Sequence, residues 1–191
     1  MIGHLNGRLI EKNPTDLIIE CGGVGYEVKI SLNTFSSIGE TEALKIFTKL
    51  IVREDAHLLY GFASKEERQM FVHLTSVSGI GPNTAMIMLS SLVPDEIAHA
   101  IQSEDVVTIQ GIKGIGAKTA QRVILDLKDK MLKMTFSTEN IFNQNNTNRF
   151  DALTALISLG FDKKLAEKAL DKVSLGDDSV EFLIKGALKI L

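Results

Sequence analysis

The chain has 191 residues, enough for one to three small domains. Its hydrophobic fraction of 45% is ordinary for globular protein, and no apolar run approaches the roughly 20 residues that a membrane-crossing helix needs. The formal net charge of −3 excludes indiscriminate nucleic-acid binding through bulk charge, so any such contact must come from a local patch.

The opening MIGHLNGRLIEK alternates and carries charge, unlike a signal peptide. Cys21 is the only cysteine, so it has no intrachain disulfide partner and reads as a core thiol. A cytoplasmic chain is expected. His4, His57, His73 and His99 have no metal-ligand spacing with one another or with Cys21. No metal and no cofactor is expected.

Residues 1–63 read as β. Short apolar-rich runs appear at Ile2–Ile10, Leu17–Cys21, Tyr26–Leu32, Leu44–Arg53 and His57–Phe62. Tyr26, Val28, Ile30 and Leu32 alternate with polar residues, the period of a half-buried strand. Asn13-Pro14 and Gly22-Gly23-Val24-Gly25 supply turns. Five short strands suit a small closed barrel, either an OB-fold or an SH3-like barrel. Between the last two strands lies Arg53-Glu54-Asp55-Ala56. Two adjacent carboxylates at a hairpin tip repel phosphate; the plainer reading is a solvated turn.

At Ser64 the pattern changes to the helical period. Ser64-Lys65-Glu66-Glu67 reads as a capping box, and Phe71, Leu74 and Val77 mark a buried face. A stretch then occurs twice. SVSGIGPNTAMIML spans Ser76–Leu89 and IKGIGAKTAQRVIL spans Ile112–Leu125. Gly79-Ile80-Gly81 recurs as Gly114-Ile115-Gly116, and Ala85 recurs as Ala120, each 35 residues on (114 − 79, 120 − 85). The spacing predicts helix, tight hairpin, helix in two copies. Pro82 falls at a first helical position, where its missing N–H costs nothing. Pro94 opens a further helix. Ala120, Val123, Ile124, Leu127 and Met131 form the buried stripe of the last.

A helix leaves its first N–H groups without intrahelical partners, and its dipole adds positive potential there. Glycine lets a ligand come close to the backbone because no Cβ intervenes. Each hairpin therefore offers a phosphate site, with Ile80 and Ile115 anchoring it from inside. Two such sites suit successive phosphates of a nucleic-acid backbone and read charge and spacing, not bases. Lys118 and Arg122, four apart, share an outer face beside the second hairpin. A single Gly-x-Gly would be only a turn; the repetition carries the argument. A P-loop is excluded, because Ala117 separates Gly116 from Lys118-Thr119 and no strand precedes the loop.

Residues 135–148 are rich in Asn and Thr with little periodicity and read as a flexible linker. Beyond it, from residue 149 to 191, three apolar stripes predict a three-helix miniature domain. They are Leu153, Leu156 and Ile157; then Leu165, Ala166, Ala169, Leu170 and Val173; then Val180, Leu183, Ile184, Ala187, Leu188 and Leu191. A tethered domain without catalytic residues reads as a docking module. Leu159-Gly160-Phe161 offers an apolar knob, or else a hydrophobic helix cap.

The stretches MIG-L-G, GGVGYEV, VREDA-LLYGF, the paired GIG hairpins, AKTAQR-I-LKDK, the loose linker and LGF in this order resemble the RuvA family. These are the Holliday-junction-binding subunits of the bacterial RuvAB branch-migration complex. The resemblance covers essentially the whole chain. It implies an α+β multidomain protein with an OB-fold barrel at 1–63 and a tandem helix-hairpin-helix domain at 64–134. A linker at 135–148 and a UBA-like three-helix domain at 149–191 would complete it. It implies a non-catalytic protein acting in recombination, DNA repair and the SOS response. That protein would bind four-way junction DNA as a homotetramer, or as two tetramers face to face. Its partners would be the hexameric RuvB ATPase motor, which docks on the C-terminal domain, and the RuvC resolvase.

By the same resemblance the DNA-backbone contacts are Gly79, Ile80, Gly81, Asn83, Thr84, Gly114, Ile115, Gly116, Lys118, Thr119 and Arg122. Glu54 and Asp55 form an acidic pin that guides strands apart at the junction centre. Leu156, Leu159 and Phe161 are the candidates for motor docking. The family often has Lys where this chain has Asn83 and Ala117, which implies weaker or less salt-sensitive binding here. The competing class is a structure-specific nuclease or glycosylase built on the same hairpins. It would need a carboxylate cluster or a catalytic Lys–Asp pair, and no sequence motif supplies either.

Overall fold

The computed structural model describes residues 1–39, 41–139, 144–173 and 179–191. The chain forms two compact units, Met1–Leu132 and Lys133–Leu191. Among the described residues no helix is long and apolar enough to cross a membrane.

The first unit opens with strands β1 (His4–Lys12), β2 (Asp16–Cys21), β3 (Val24–Ile30), β4 (Ala43–Val52) and β5 (His57–Phe62). They close a barrel in the order β1-β2-β3-β5-β4, with β1 pairing antiparallel to β4. β3 and β5 run parallel through Lys29↔Tyr60 and Ile30↔Gly61. The arrangement is an OB-fold, and the SH3-like alternative falls away. The alternation expected for β3 holds at Val28 and Ile30, both buried, which join Leu17, Ile19 and Ile46 in the barrel core. It fails at Leu32, which begins a six-residue helix, α1 (Leu32–Ser37), and is exposed. Sequence reading missed α1 because so short a helix shows no period.

β5 is buried on both faces. Leu59 points into the barrel, while Tyr60 and Phe62 pack outward on Phe71, with ring centroids 5.0 Å apart in each pair. Phe71 belongs to α2 (Lys65–Thr75), so barrel and helices share one unit. α3 (Pro82–Ser91), α4 (Pro94–Gln102), α5 (Val106–Gln110) and α6 (Ala117–Glu139) follow. The expected stripe on α6, Ala120 to Met131, is buried throughout.

The capping box at Ser64 is half formed. Ser64 Oγ accepts from the Glu67 N–H at 3.1 Å. The Glu67 side chain does not return to the cap. It turns inward, 4% exposed, and accepts from the Thr34 hydroxyl at 2.5 Å and from the Ser31 hydroxyl. Two buried hydroxyl donors satisfy a carboxylate more fully than one backbone N–H at a solvated helix end.

The second unit holds α7 (Gln144–Ser158), α8 (Lys163–Val173) and α9 (Val180–Leu188). Its core is Ala152, Leu156, Ala166, Ala169, Leu170, Leu183 and Ala187. Ile157, Leu165, Leu188 and Leu191, expected in the apolar stripes, are exposed. Helix enters the expected linker from both sides: α6 continues to Glu139 and α7 begins at Gln144. Residues 140–143 lie outside the described residues. Thr, Ser and Asn cost a helix only up to about 0.7 kcal/mol each, and elongation from a formed helix needs no new nucleus.

α9 meets α8 through Gly186. A Cβ there would lie 2.3 Å from Cγ1 of Val173. Gly186→Ala is expected to destabilise this unit by about 1–3 kcal/mol, the usual cost of overpacking. Faster amide exchange in α8 and α9 would register it, with α2–α5 unchanged. Adding Val173→Ala should restore most of the protection.

Candidate nucleic-acid interface

The two hairpins agree in backbone geometry as well as in sequence. Each opens with a buried anchor, Val77 or Ile112. The N–H of Ile80 donates to Val77 O at 3.0 Å, and that of Ile115 donates to Ile112 O at 3.1 Å. Gly79 has φ +96° and Gly114 has φ +91°, left-handed values that L side chains adopt only with strain. Ile80 and Ile115 are buried at 4% and 5% exposure. The following helix then starts in the same way twice: Ala85 N–H donates to Gly81 O at 3.0 Å, and Ala120 N–H to Gly116 O at 2.9 Å.

Gly81 is the N-cap of α3 and has no side chain to satisfy the first-turn N–H groups. Pro82 contributes none, which leaves Asn83 and Thr84 pointing past the helix end. Asn83 is exposed and Thr84 half-buried. At the start of α6 the corresponding groups belong to Ala117, Lys118 and Thr119. The first hairpin approaches the start of α6, since a Cβ on Gly79 would come within 4.0 Å of Thr119 Cγ2. Lys118 and Arg122 are exposed on the outer face of α6, as their spacing predicts.

Sequence reading missed two cations. Lys113 is exposed within the second hairpin, between Ile112 and Gly114. Lys130 lies three turns beyond the start of α6, yet its Nζ donates to Ser76 Oγ at 3.3 Å. Ser76 is the C-cap of α2 and leads into the first hairpin. No local signal links residues so far apart in the chain. Burial, reinforced by the Lys130 charge, holds the His73 imidazole below its ordinary value. A neutral His73 Nε2 accepts from the Gln69 amide at 3.1 Å.

The carboxylates Glu54 and Asp55 form the tip of the β4–β5 hairpin, closed by Arg53 N–H donating to Ala56 O at 2.8 Å. Both are exposed and neither forms an ion pair among the described residues. No group of three His, Cys, Asp or Glu among the described residues could hold a metal ion.

The docking candidates of the second unit separate. Gly160, at φ +99°, ends α7. The N–H of Phe161 donates to Leu156 O at 3.2 Å and that of Gly160 to Ile157 O at 3.0 Å. This is a Schellman cap with its hydrophobic contact between Phe161 and Leu156. Leu156 is fully buried and Phe161 packs against the core. Leu156, at 0% exposure, has no surface to offer a partner, whereas Phe161 is half-buried. Leu159 alone stands out, at 62% exposure. Other exposed apolar residues among the described residues of this unit are Ile157, Leu165, Phe182, Leu188, Ile190 and Leu191.

A Cβ at Gly81 or Gly116 would meet nothing within 4 Å, and neither residue has a positive φ. Gly81→Val and Gly116→Val should therefore fold normally yet obstruct phosphate at the helix end. Each should lower affinity for DNA of any sequence, with an unchanged melting temperature. Undiminished binding by both variants would remove the hairpins from the interface.

Three family models match this chain. The one described as RuvA N terminal domain covers residues 1–61, SAM-like Helix-hairpin-helix tandem covers 71–129, and RuvA, C-terminal domain covers 147–191. The curated relatives include proteins named Holliday junction branch migration complex subunit RuvA. The one from Christiangramia forsetii is 56% identical over 193 residues, and the one from Flavobacterium psychrophilum is 53% identical over 193 residues. In both cases all of each chain is covered. A relative of the same name from Coxiella burnetii is 41% identical, covering 99% of this chain and 97% of its own. Barrel, paired hairpins and three-helix unit follow one another in this order, and relatives match them from end to end: the chain belongs to the RuvA family.

Proposed function

We propose that this chain is the junction-binding, non-catalytic subunit of a branch-migration complex acting in recombination and DNA repair. It binds four-way junction DNA by backbone charge and shape and recruits a hexameric RuvB ATPase motor. The observation that carries the reading is the pair of congruent glycine hairpins in one unit. Each opens a helix at a glycine, with Lys118 and Arg122 exposed on the helix that the second hairpin opens. The full set of backbone contacts runs through Gly79, Ile80, Gly81, Asn83, Thr84, Gly114, Ile115, Gly116, Lys118, Thr119 and Arg122. Lys113 and Lys130 add charge at the same place.

A junction has four arms, and a homotetramer supplies one copy to each. Fourfold symmetry then gathers four acidic tips near the axis, where Glu54 and Asp55 act as the pin between strands. Two tetramers face to face would enclose the junction. In the second unit Leu159, with Ile157, Leu165 and Phe182, forms the apolar surface for the motor, and RuvC is a further partner on the assembled junction. The setting is the cytoplasm. A nuclease or glycosylase reading finds no support in the side-chain arrangement of the described residues.

The test compares binding of four-way and linear DNA in a gel shift across salt concentrations. Tighter binding to the junction, whatever the arm sequence, is the expected result; equal affinity for the two would refute the proposal. Each phosphate neutralised contributes roughly −0.9 to the slope of log K against log salt on duplex arms. Lys118→Ala should make that slope shallower by up to about one unit. An unchanged slope would return Lys118 to an ordinary solvated face.

A further inference from the structure

Barrel and helices in the first unit meet through two kinds of contact. The apolar kind is Tyr60 and Phe62 against Phe71. Such contacts hold surfaces together but are non-directional, so they do not fix an angle. The polar kind is concentrated on α1 and does fix one, because hydrogen bonds weaken steeply when bent.

Three groups of bonds converge on α1. Thr34 and Ser31, both 0% exposed, donate their hydroxyls to the two oxygens of the buried Glu67 carboxylate on α2. Thr34 Oγ1 also accepts from the N–H of Ala63, the residue that follows β5. On the other side, Asn33 Nδ2 donates to Leu89 O at 2.6 Å and to Leu92 O at 3.0 Å. Those are carbonyls at the C-terminal end of α3, which lack intrahelical partners. The Leu32 N–H donates to Ser90 Oγ at 3.1 Å beside them. α1 is thus tied to β5, to α2 and to the far end of α3.

The elements so tied carry the two opposed parts of the interface. β5 begins at the acidic tip, and α3 begins at the first phosphate-binding hairpin. α3 has 10 residues, which at the helical rise spans about 15 Å. Swinging α3 by roughly 10° about its clamped end would therefore displace the hairpin by about 2–3 Å, enough to break a hydrogen bond to a phosphate.

We infer that Asn33 and Glu67 are positioning residues for shape recognition: the α1 clamp holds the first hairpin at a fixed offset from the Glu54–Asp55 tip, and that offset sets the preference for four-way over linear DNA. The inference rests on the proposed junction-binding function. Linear duplex needs only a hairpin, so it tolerates a loosened clamp. A junction must satisfy hairpins and tip at once, so it does not.

The test uses the full chain and compares dissociation constants for four-way and linear DNA in wild type, Asn33→Ala and Glu67→Gln. Asn33 is half-exposed at the edge of the clamp, so its truncation leaves the core intact. For Asn33→Ala the junction-over-duplex preference should fall about fivefold, the equilibrium equivalent of about one net hydrogen bond. Its duplex affinity and circular dichroism should stay unchanged. Glu67→Gln keeps the side-chain shape, but its amide nitrogen cannot accept from the second hydroxyl, so it should lower the preference in the same direction. A preserved preference in Asn33→Ala overturns the inference, as does an equal loss of affinity for both DNAs. If wild type itself shows no preference, the proposed function fails instead.

Discussion

A helix that begins at glycine exposes N–H groups that it cannot satisfy itself, and the DNA-binding account depends on this deficit. The strained turn at Gly79 and Gly114, the buried anchors Ile80 and Ile115, and the missing side chain at Gly81 and Gly116 all maintain it. Any side chain that capped those ends from within would remove the site. Repetition turns one weak anion site into a spaced pair. The first hairpin lies near Thr119 of α6, where a Cβ on Gly79 would come within 4.0 Å of its Cγ2.

Attraction at the hairpins would bind any duplex if nothing opposed it. The chain supplies few cations for the purpose, with Lys+Arg 21 against Asp+Glu 24 overall. Affinity must then come from placement more than from bulk charge. In the proposed function the acidic tip provides the opposing term. Exposed charges act over about a Debye length, roughly 10 Å at 0.1 M salt, so the tip acts on nearby strands and fades along the arms. On this proposal, selectivity for a branched shape arises from where attraction and repulsion stand relative to each other, and the inferred role of the joint between barrel and helices follows from it. Glu67, buried and doubly bonded at that joint, connects folding to this geometry.

Much of this was legible in the sequence, and the reasons are specific. Strand alternation placed Val28 and Ile30, and the apolar stripe on α6 placed Ala120 to Met131, because each face is buried against a single layer. The hairpins were legible because they repeat. What escaped depends on tertiary contact. Glu67 has the spacing of a capping residue, and only the presence of Ser31 and Thr34 across the joint draws it inward. Leu159-Gly160-Phe161 read as either an apolar knob or a hydrophobic helix cap, and the Schellman cap at Gly160 is present, with Leu156 buried in the core. Lys130 reaches Ser76 across 54 positions of sequence, and no local pattern announces it. The expected linker was shortened from both ends by helix that low propensity did not stop.

In the proposed function, opposed charges at fixed positions read DNA shape. Replacing Glu54 by Gln together with Asp55 by Asn removes the repulsion while keeping the shape of the tip. The decisive measurement is the ratio of duplex to junction dissociation constants, at two salt concentrations, for wild type and this double variant. The account expects tighter binding overall, most of all to linear duplex, so that the ratio falls and falls further at low salt. A ratio identical in the two proteins would contradict it.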